Sequence, residues 1–165
     1  MNAAWRRRWA PFIAGGLAAL VFASLGAALT DLSPWYENLR KPAWQPPDWL
    51  FGPAWTLIFS LTAYSFGLAW QAVSGTAARL RIAWLFAFNM LLNVCWSWLF
   101  FAQRRPDWAL GEVTLLWFSI AALVYVLRPV SRRASLALVP YLAWVTFAAL
   151  LNLEIVRLNA PFEGS

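Results

Sequence analysis

The sequence predicts an all-α protein: an integral membrane bundle of five transmembrane helices, forming one domain over residues 1–165. Three observations carry that prediction. Hydrophobic residues make up 62% of the chain and charged residues 12%, with a mean hydropathy of +0.58; a soluble domain has about 25% charged residues. Five apolar stretches, 11–29, 53–73, 82–102, 108–127 and 134–156, are each close to the ~20 residues a helix needs to cross a bilayer. None alternates with period two along its length, which argues against a membrane β-barrel.

The first stretch follows Arg6-Arg7-Arg8 and ends near Gly26-Ala27-Ala28, the layout of a signal peptide. Its apolar run is longer than the ~7–15 residues of a signal core, so a retained helix is expected. A loop over 31–52 comes next. Within it, Arg40 to Phe51 carries Pro42, Pro46 and Pro47, which fix φ, remove amide donors and push their predecessors toward extended backbone. Neither helix nor strand is expected there. With Trp44 and Trp49 it reads as a stiff lid, shaped in advance to cover something flat and apolar.

The second stretch places Trp55 and Phe59 four residues apart on one helical face. In the third, Asn93, Trp96 and Phe100 share a face, and Cys95 is the chain's single cysteine, read as a small apolar filler. Glu112 in the fourth and Glu154 in the fifth lie about one turn from the outer helix ends and read as boundary residues reaching water. The fifth aligns Trp144, Ala148, Leu151 and Asn152. Ordinary helix packing accounts for these faces as well as a pocket does. An amide inside a lipid-embedded helix must face the bundle and find a partner, which singles out Asn93 and Asn152.

The chain has 13 Trp. Trp5, Trp9, Trp70, Trp84 and Trp108 lie near helix ends and suit the interfacial aromatic belt. Trp96, Trp117 and Trp144 lie well inside their helices. No ionisable residue falls at a midplane position, which argues against a proton-coupled pump, and five helices do not divide into two inverted repeats.

Charge sets the orientation. One side holds Arg6, Arg7, Arg8, Arg79, Arg81, Arg128, Arg132 and Arg133 and no acid. The other holds Arg40, Lys41, Arg104, Arg105 and Arg157 with all seven acids, Glu163 among them. The N-terminus is therefore expected in the cytoplasm and the first loop outside, in a bacterial cell membrane; insertion into an outer membrane would remove the basis of that rule.

The net charge of +6 is scattered over short loops, with no basic stripe or recognition module for nucleic acid. The absence of His and the lone Cys leave no metal set and no disulfide. No phosphate-binding loop and no Ser/His/Asp set is present, which argues against soluble-enzyme chemistry.

Four blocks resemble the TspO/MBR family, the tryptophan-rich sensory proteins related to the mitochondrial translocator protein or peripheral benzodiazepine receptor. They are Trp35-Tyr36-Glu37-Asn38-Leu39 with Lys41-Pro42, Trp44, Pro46-Pro47 and Trp49; Gly52-Pro53-Ala54-Trp55; Leu92-Asn93, Trp96 and Phe100-Phe101 with Trp108-Ala109-Leu110; and Pro140-Tyr141-Leu142-Ala143-Trp144 with Leu151-Asn152 and Arg157-Leu158-Asn159. The resemblance implies a five-helix bundle, commonly a homodimer, with a pocket open toward the first loop. It implies binding of porphyrins such as protoporphyrin IX and haem, of isoquinoline carboxamides and benzodiazepines and, in mammalian members, of cholesterol.

Carried to matching positions, the pocket would be lined by Tyr36, Trp55, Phe59, Asn93, Trp96, Phe100, Trp144, Ala148 and Leu151. Pro42, Trp44, Pro46, Pro47 and Trp49 would form the lid. Phe59 stands where many relatives have Tyr, and the segment Leu151 to Arg157 lacks the Tyr of a cholesterol-recognition pattern, which argues against a sterol as natural ligand.

The function so implied is a membrane tetrapyrrole-binding sensor or regulator with no obligatory cofactor. The alternatives are a transporter of porphyrins or sterol-like lipids, and a light-dependent porphyrin-degrading enzyme with Trp55 and Trp144 as photochemical candidates. Arg40, Lys41, Arg104 and Arg105, on the lid side, are candidates to meet porphyrin carboxylates. Small residues at Gly15, Ala19 and Ala23, or at Ala83 and Ala87, would permit the close helix contact of a dimer.

Overall fold

The computed structural model describes residues 3–162; Glu163 of the charge count and the side chains of Arg6 and Arg7 lie outside that description. The described chain is all helical, with no strand. Its elements are α1 (Ala3–Leu29), α2 (Pro34–Glu37), a 3₁₀ turn (Asp48–Leu50), α3 (Phe51–Ala72), α4 (Thr76–Ser97), a π-helical turn (Trp98–Ala102), α5 (Pro106–Leu127), α6 (Arg132–Ala137) and α7 (Val139–Asn159).

Four segments are long and apolar enough to cross a membrane: Arg8–Leu29, Thr76–Ala102, Pro106–Leu127 and Arg132–Asn159. The fifth expected span, 53–73, forms the 22-residue α3 but falls short of the same measure, because Thr56, Ser60, Thr62, Tyr64, Ser65 and Gln71 dilute its apolar residues. The Thr and Ser hydroxyls among them are bonded within the protein. Thr56, Ser60 and Thr62 donate to carbonyls one turn back at 2.8–2.9 Å, and Ser65 donates to Ala134 O at 2.8 Å.

The helices begin ahead of the apolar runs that announced them. α1 starts at Ala3 rather than 11, and α4 at Thr76 rather than 82. An apolar run marks only the greasy part of a helix, and Arg side chains continue it while reaching outward. The last run breaks at Leu138, where Pro140 in the first turn of α7 starts a new helix; Ser131 caps α6 by accepting from Ala134 N. The stretch Arg40 to Phe51, expected to hold no helix, turns 3₁₀-helical directly after Pro47 and enters α3 at Phe51.

The long helices close into a ring, α1 against α3, α3 against α6 and α7, α7 against α5, α5 against α4, and α4 back against α1. Ile58, Ile120, Leu123, Leu127, Tyr141 and Val145 fill the interior. α1 is the least buried, and its Ile13, Leu17, Leu20, Val21 and Leu25 remain 48–63% exposed. It touches α3 closely in one half only. A Cβ on Gly15 would lie 2.9 Å from Phe66 Cδ1 and 3.1 Å from Ala63 O; one on Gly67 would lie 2.2 Å from Phe12 Cδ1. Gln71 Nε2 donates to Arg8 O at the same end. The face of Gly15, Ala19 and Ala23, expected to be open to a second copy, is thus turned inward, toward α3 and the cavity described below.

Two boundary residues part company. Glu154 reaches outward and pairs with Arg157 at 2.6 Å. Glu112 does not reach water: it is 7% exposed, and neither carboxyl oxygen has a hydrogen-bond partner among the described residues. It falls on the face that α5 buries, with Ala109, Val113 and Leu116, and distance from the helix end does not override that facing.

Candidate ligand cavity

Helices α1, α3, α4 and α7 leave a cavity of about 740 Å³ beneath the first loop. Tyr36, Trp55, Phe59, Asn93, Trp96, Phe100, Trp144, Ala148 and Leu151 all line it. Helical spacing puts each subset on one face, and the ring of helices turns those faces toward each other. Trp55 leans on Phe59 with centroids 5.6 Å apart, and Trp96 stacks on Phe100 at 5.1 Å and 30°. Trp144 is braced by Phe51 at 5.7 Å and Phe147 at 5.4 Å. The π-helical turn, closed by Gln103 N on Trp98 O at 2.9 Å, holds Phe100 and Phe101 together on the wall, 4.8 Å apart.

Both amides that the sequence singled out have partners. Asn93 Nδ2 donates to the Tyr141 hydroxyl at 3.2 Å. Asn152 accepts from Trp96 Nε1 at 3.1 Å and donates to Pro106 O at 2.9 Å, fixing the indole and joining α4, α5 and α7. Asn152 also lines the cavity.

The first loop closes the outer end differently from expectation. Pro42, Trp44, Pro46, Pro47 and Trp49 do not line the cavity; the residues between them, Gln45 and Asp48, do. Trp44 packs edge-on against Phe147 at 5.7 Å, and Trp49 is 71% exposed. The prolines shape the loop, and its polar side chains make the mouth. Tyr36 donates to Asp48 Oδ1 at 3.0 Å, and Gln45 Nε2 donates to the same oxygen at 3.1 Å. Arg40 is clasped through its backbone: its N–H donates to Asn159 Oδ1 at 2.8 Å and its carbonyl accepts from Asn159 Nδ2 at 2.9 Å.

None of Arg40, Lys41, Arg104 and Arg105 lines the cavity. Lys41 lies 3.8 Å from Asp48 and 3.7 Å from the centre of the Tyr36 ring. Arg104 lies 3.9 Å from Asp31, and Arg105 pairs with Asp107 while covering the Trp108 ring. Lys41, Arg104 and Arg105 are thus engaged away from the cavity.

Burial, then the charge of Asp48 and the bond to it, push the Tyr36 phenol from 10.0 up to about 12. A raised phenol favours the neutral form in the folded protein. Its contribution to stability is fully present below pH 10 and is lost as the pH rises through about 12. The phenolate absorbance that disappears in Tyr36→Phe should have its midpoint near 12; a midpoint at 10 would show the mouth open.

The spacing argument missed Gln45, Asp48, Phe101 and the small residues Gly16, Gly26 and Ala27 that α1 turns to the cavity. The stripe that the sequence suggested on this helix was Gly15, Ala19 and Ala23, as a helix contact, and Gly26-Ala27 resembled part of a signal peptide. Gln45 and Asp48 carried no periodic signal.

A sequence model of the TspO/MBR family matches residues 14–158. The tryptophan-rich protein TspO of Chlorobaculum tepidum is 42% identical over 129 residues, covering 76% of this chain and 79% of its own. The tryptophan-rich sensory protein of Cereibacter sphaeroides is 38% identical, covering 92% of each. The human translocator protein is 34% identical, covering 79% of this chain and 78% of its own.

Proposed function

The chain belongs to the TspO/MBR family, and on that premise we propose that it is a membrane sensor that binds a flat tetrapyrrole, of the protoporphyrin IX or haem type, in the cavity under its first loop. All five long helical segments then cross the bilayer, α3 included, with the N-terminus in the cytoplasm of a bacterial cell. One observation supports the reading above the others. Nine side chains from α2, α3, α4 with its π turn, and α7 share one space of about 740 Å³, inside the ~300–1,000 Å³ range of small-molecule sites. Three of the nine are Trp. A disc set among them gains about 0.5–1.5 kcal/mol per aromatic contact beyond area burial.

Titrating the purified chain in the dark with protoporphyrin IX or its dimethyl ester, read by Trp fluorescence, tests this. Saturable quenching is expected, weakened tenfold or more in Trp55→Ala and in Trp144→Ala at unchanged helix content. Full affinity in both folded variants would sink this placement. Because Trp55 and Trp144 stand on the same wall, where each is able to give an electron to an excited ring, the titration is repeated under illumination. Loss of porphyrin absorbance that depends on either Trp would move the reading from sensor to light-dependent degradation.

A further inference from the structure

α1 changes partners along its length. Away from the first loop it is locked to α3, at Gly15 and Gly67 and through Gln71. Toward the loop it leans on α4 instead. A Cβ on Gly26 would lie 3.8 Å from Ser97 Oγ, ordinary contact, whereas one on Gly16 or Gly52 would meet nothing within 4 Å. Two helices that touch at one end and part at the other leave a wedge between them, and this wedge opens into the cavity. Leu20 and Ala27 of α1, and Gly52, Thr56 and Ser60 of α3, line the cavity and are exposed at the same time. The other exposed wall residues among those described belong to the chain joining these two helices. The wall residues of α4, its π turn and α7 are buried or half-buried. The side opening therefore lies between α1 and α3.

From Gly52 to Ser60 this slot runs about 12 Å along the helix, against a hydrocarbon core about 30 Å thick. Its hydroxyls are spent on their own backbone: Thr56 donates to Gly52 O at 2.9 Å and Ser60 to Thr56 O at 2.8 Å. The rim so presented to lipid is apolar in effect. The mouth, by contrast, is tied across. Tyr36 and Gln45 both donate to Oδ1 of the half-exposed Asp48, Lys41 lies 3.8 Å from its Oδ2, and Asn159 clasps Arg40.

We propose that the cavity exchanges its ligand with the bilayer, edge-on through the slot between α1 and α3, and not with water through the mouth. A thin ring that partitions into lipid is already level with the slot. Its polar edge trails on the loop side, so the carboxylates of a free-acid porphyrin stay near water while the ring slides inward. This rests on the tetrapyrrole reading above and names the source of the ligand, the membrane itself.

The experiment follows release. In the full chain carrying Cys95→Ala, in lipid nanodiscs and in the dark, protoporphyrin IX is loaded first. Its departure to excess phosphatidylcholine vesicles is read by the recovery of Trp fluorescence. A reducible thiol cross-linker then bridges Ala23→Cys to Thr56→Cys, which face each other in the register that sets Gly15 on Ala63 and Phe12 on Gly67. In a second protein it bridges Arg40→Cys to Asn159→Cys across the clasp at the mouth. The slot bridge should slow release tenfold or more, reductant should restore it, and the mouth bridge should change it less than twofold. Ala27→Cys with Gly52→Cys bridges the same slot nearer the loop and serves if the first pair does not fold. Release that the slot bridge leaves unchanged, or that the mouth bridge slows as much, overturns the proposal and leaves the tetrapyrrole reading standing. An unbridged chain that takes up no porphyrin overturns that reading, and the proposal with it.

Discussion

Asn152→Leu should lower the stability of the protein by roughly 1–3 kcal/mol and weaken ligand binding at the same time. Leucine is close in volume, so the change opens little space; what it removes is a bridge. Trp96 Nε1 and Pro106 O, both bonded to Asn152, lose their partners together. A hydrogen bond between helices in a membrane averages about 0.6 kcal/mol and reaches about 1.7. Two such bonds, with a buried donor and acceptor left unpaired, give the stated range. The loss reaches the cavity because Trp96 is part of its wall and Asn152 sets the angle of the indole. Thermal melting in detergent measures the first effect and porphyrin titration the second. A double-mutant cycle with Trp96→Phe should show a coupling of at least about 0.5 kcal/mol. Simple additivity would mean that the bridge does not hold the ring.

Gly67→Ala should destabilise by about 1–3 kcal/mol, the usual penalty of overpacking. The added methyl would lie 2.2–2.6 Å from three atoms of the Phe12 ring, far inside van der Waals contact. Phe12 has little room to yield, since Trp9 and Tyr64 flank it with ring centroids 5.9 and 6.0 Å away. Either the ring is driven off its rotamer or α1 moves away from α3. The prediction has a distinctive form: Phe12→Ala alone destabilises, yet Phe12→Ala combined with Gly67→Ala is more stable than Gly67→Ala alone. Losses that merely add would show that the two helices are not in contact there.

The helices were legible because lipid imposes a blunt requirement, about twenty apolar residues per crossing. That Trp55, Phe59, Asn93, Trp96, Phe100, Trp144, Ala148 and Leu151 share one wall was legible for a related reason. Each set repeats with the helix period, and a polar amide among lipid-facing residues points inward. Tyr36 was placed by the family's first-loop pattern alone. The mouth was not legible. Whether Asp48 or Trp49 faces the cavity depends on how the loop is pinned, and the clasp to Asn159 lies 119 residues away in sequence. Glu112 was misread because its distance from a helix end suggested water, whereas its facing on α5 buries it. α3 was read as a span from its apolar residues; the hydroxyls that dilute it, Ser60 and Ser65 among them, are bonded within the protein, which composition cannot express.

The clasp between Arg40 and Asn159 also orders events in time. The first loop leaves the ribosome 119 residues ahead of the amide that fixes it. At about 5–20 residues per second, that is a wait of roughly 6–24 s. During it α7 is still missing, and with it Trp144, Ala148, Leu151 and Asn152 of the wall. Until then the part of the wall that α1 to α4 supply is open on the side that α7 later covers. Wall and clasp are completed by the same helix.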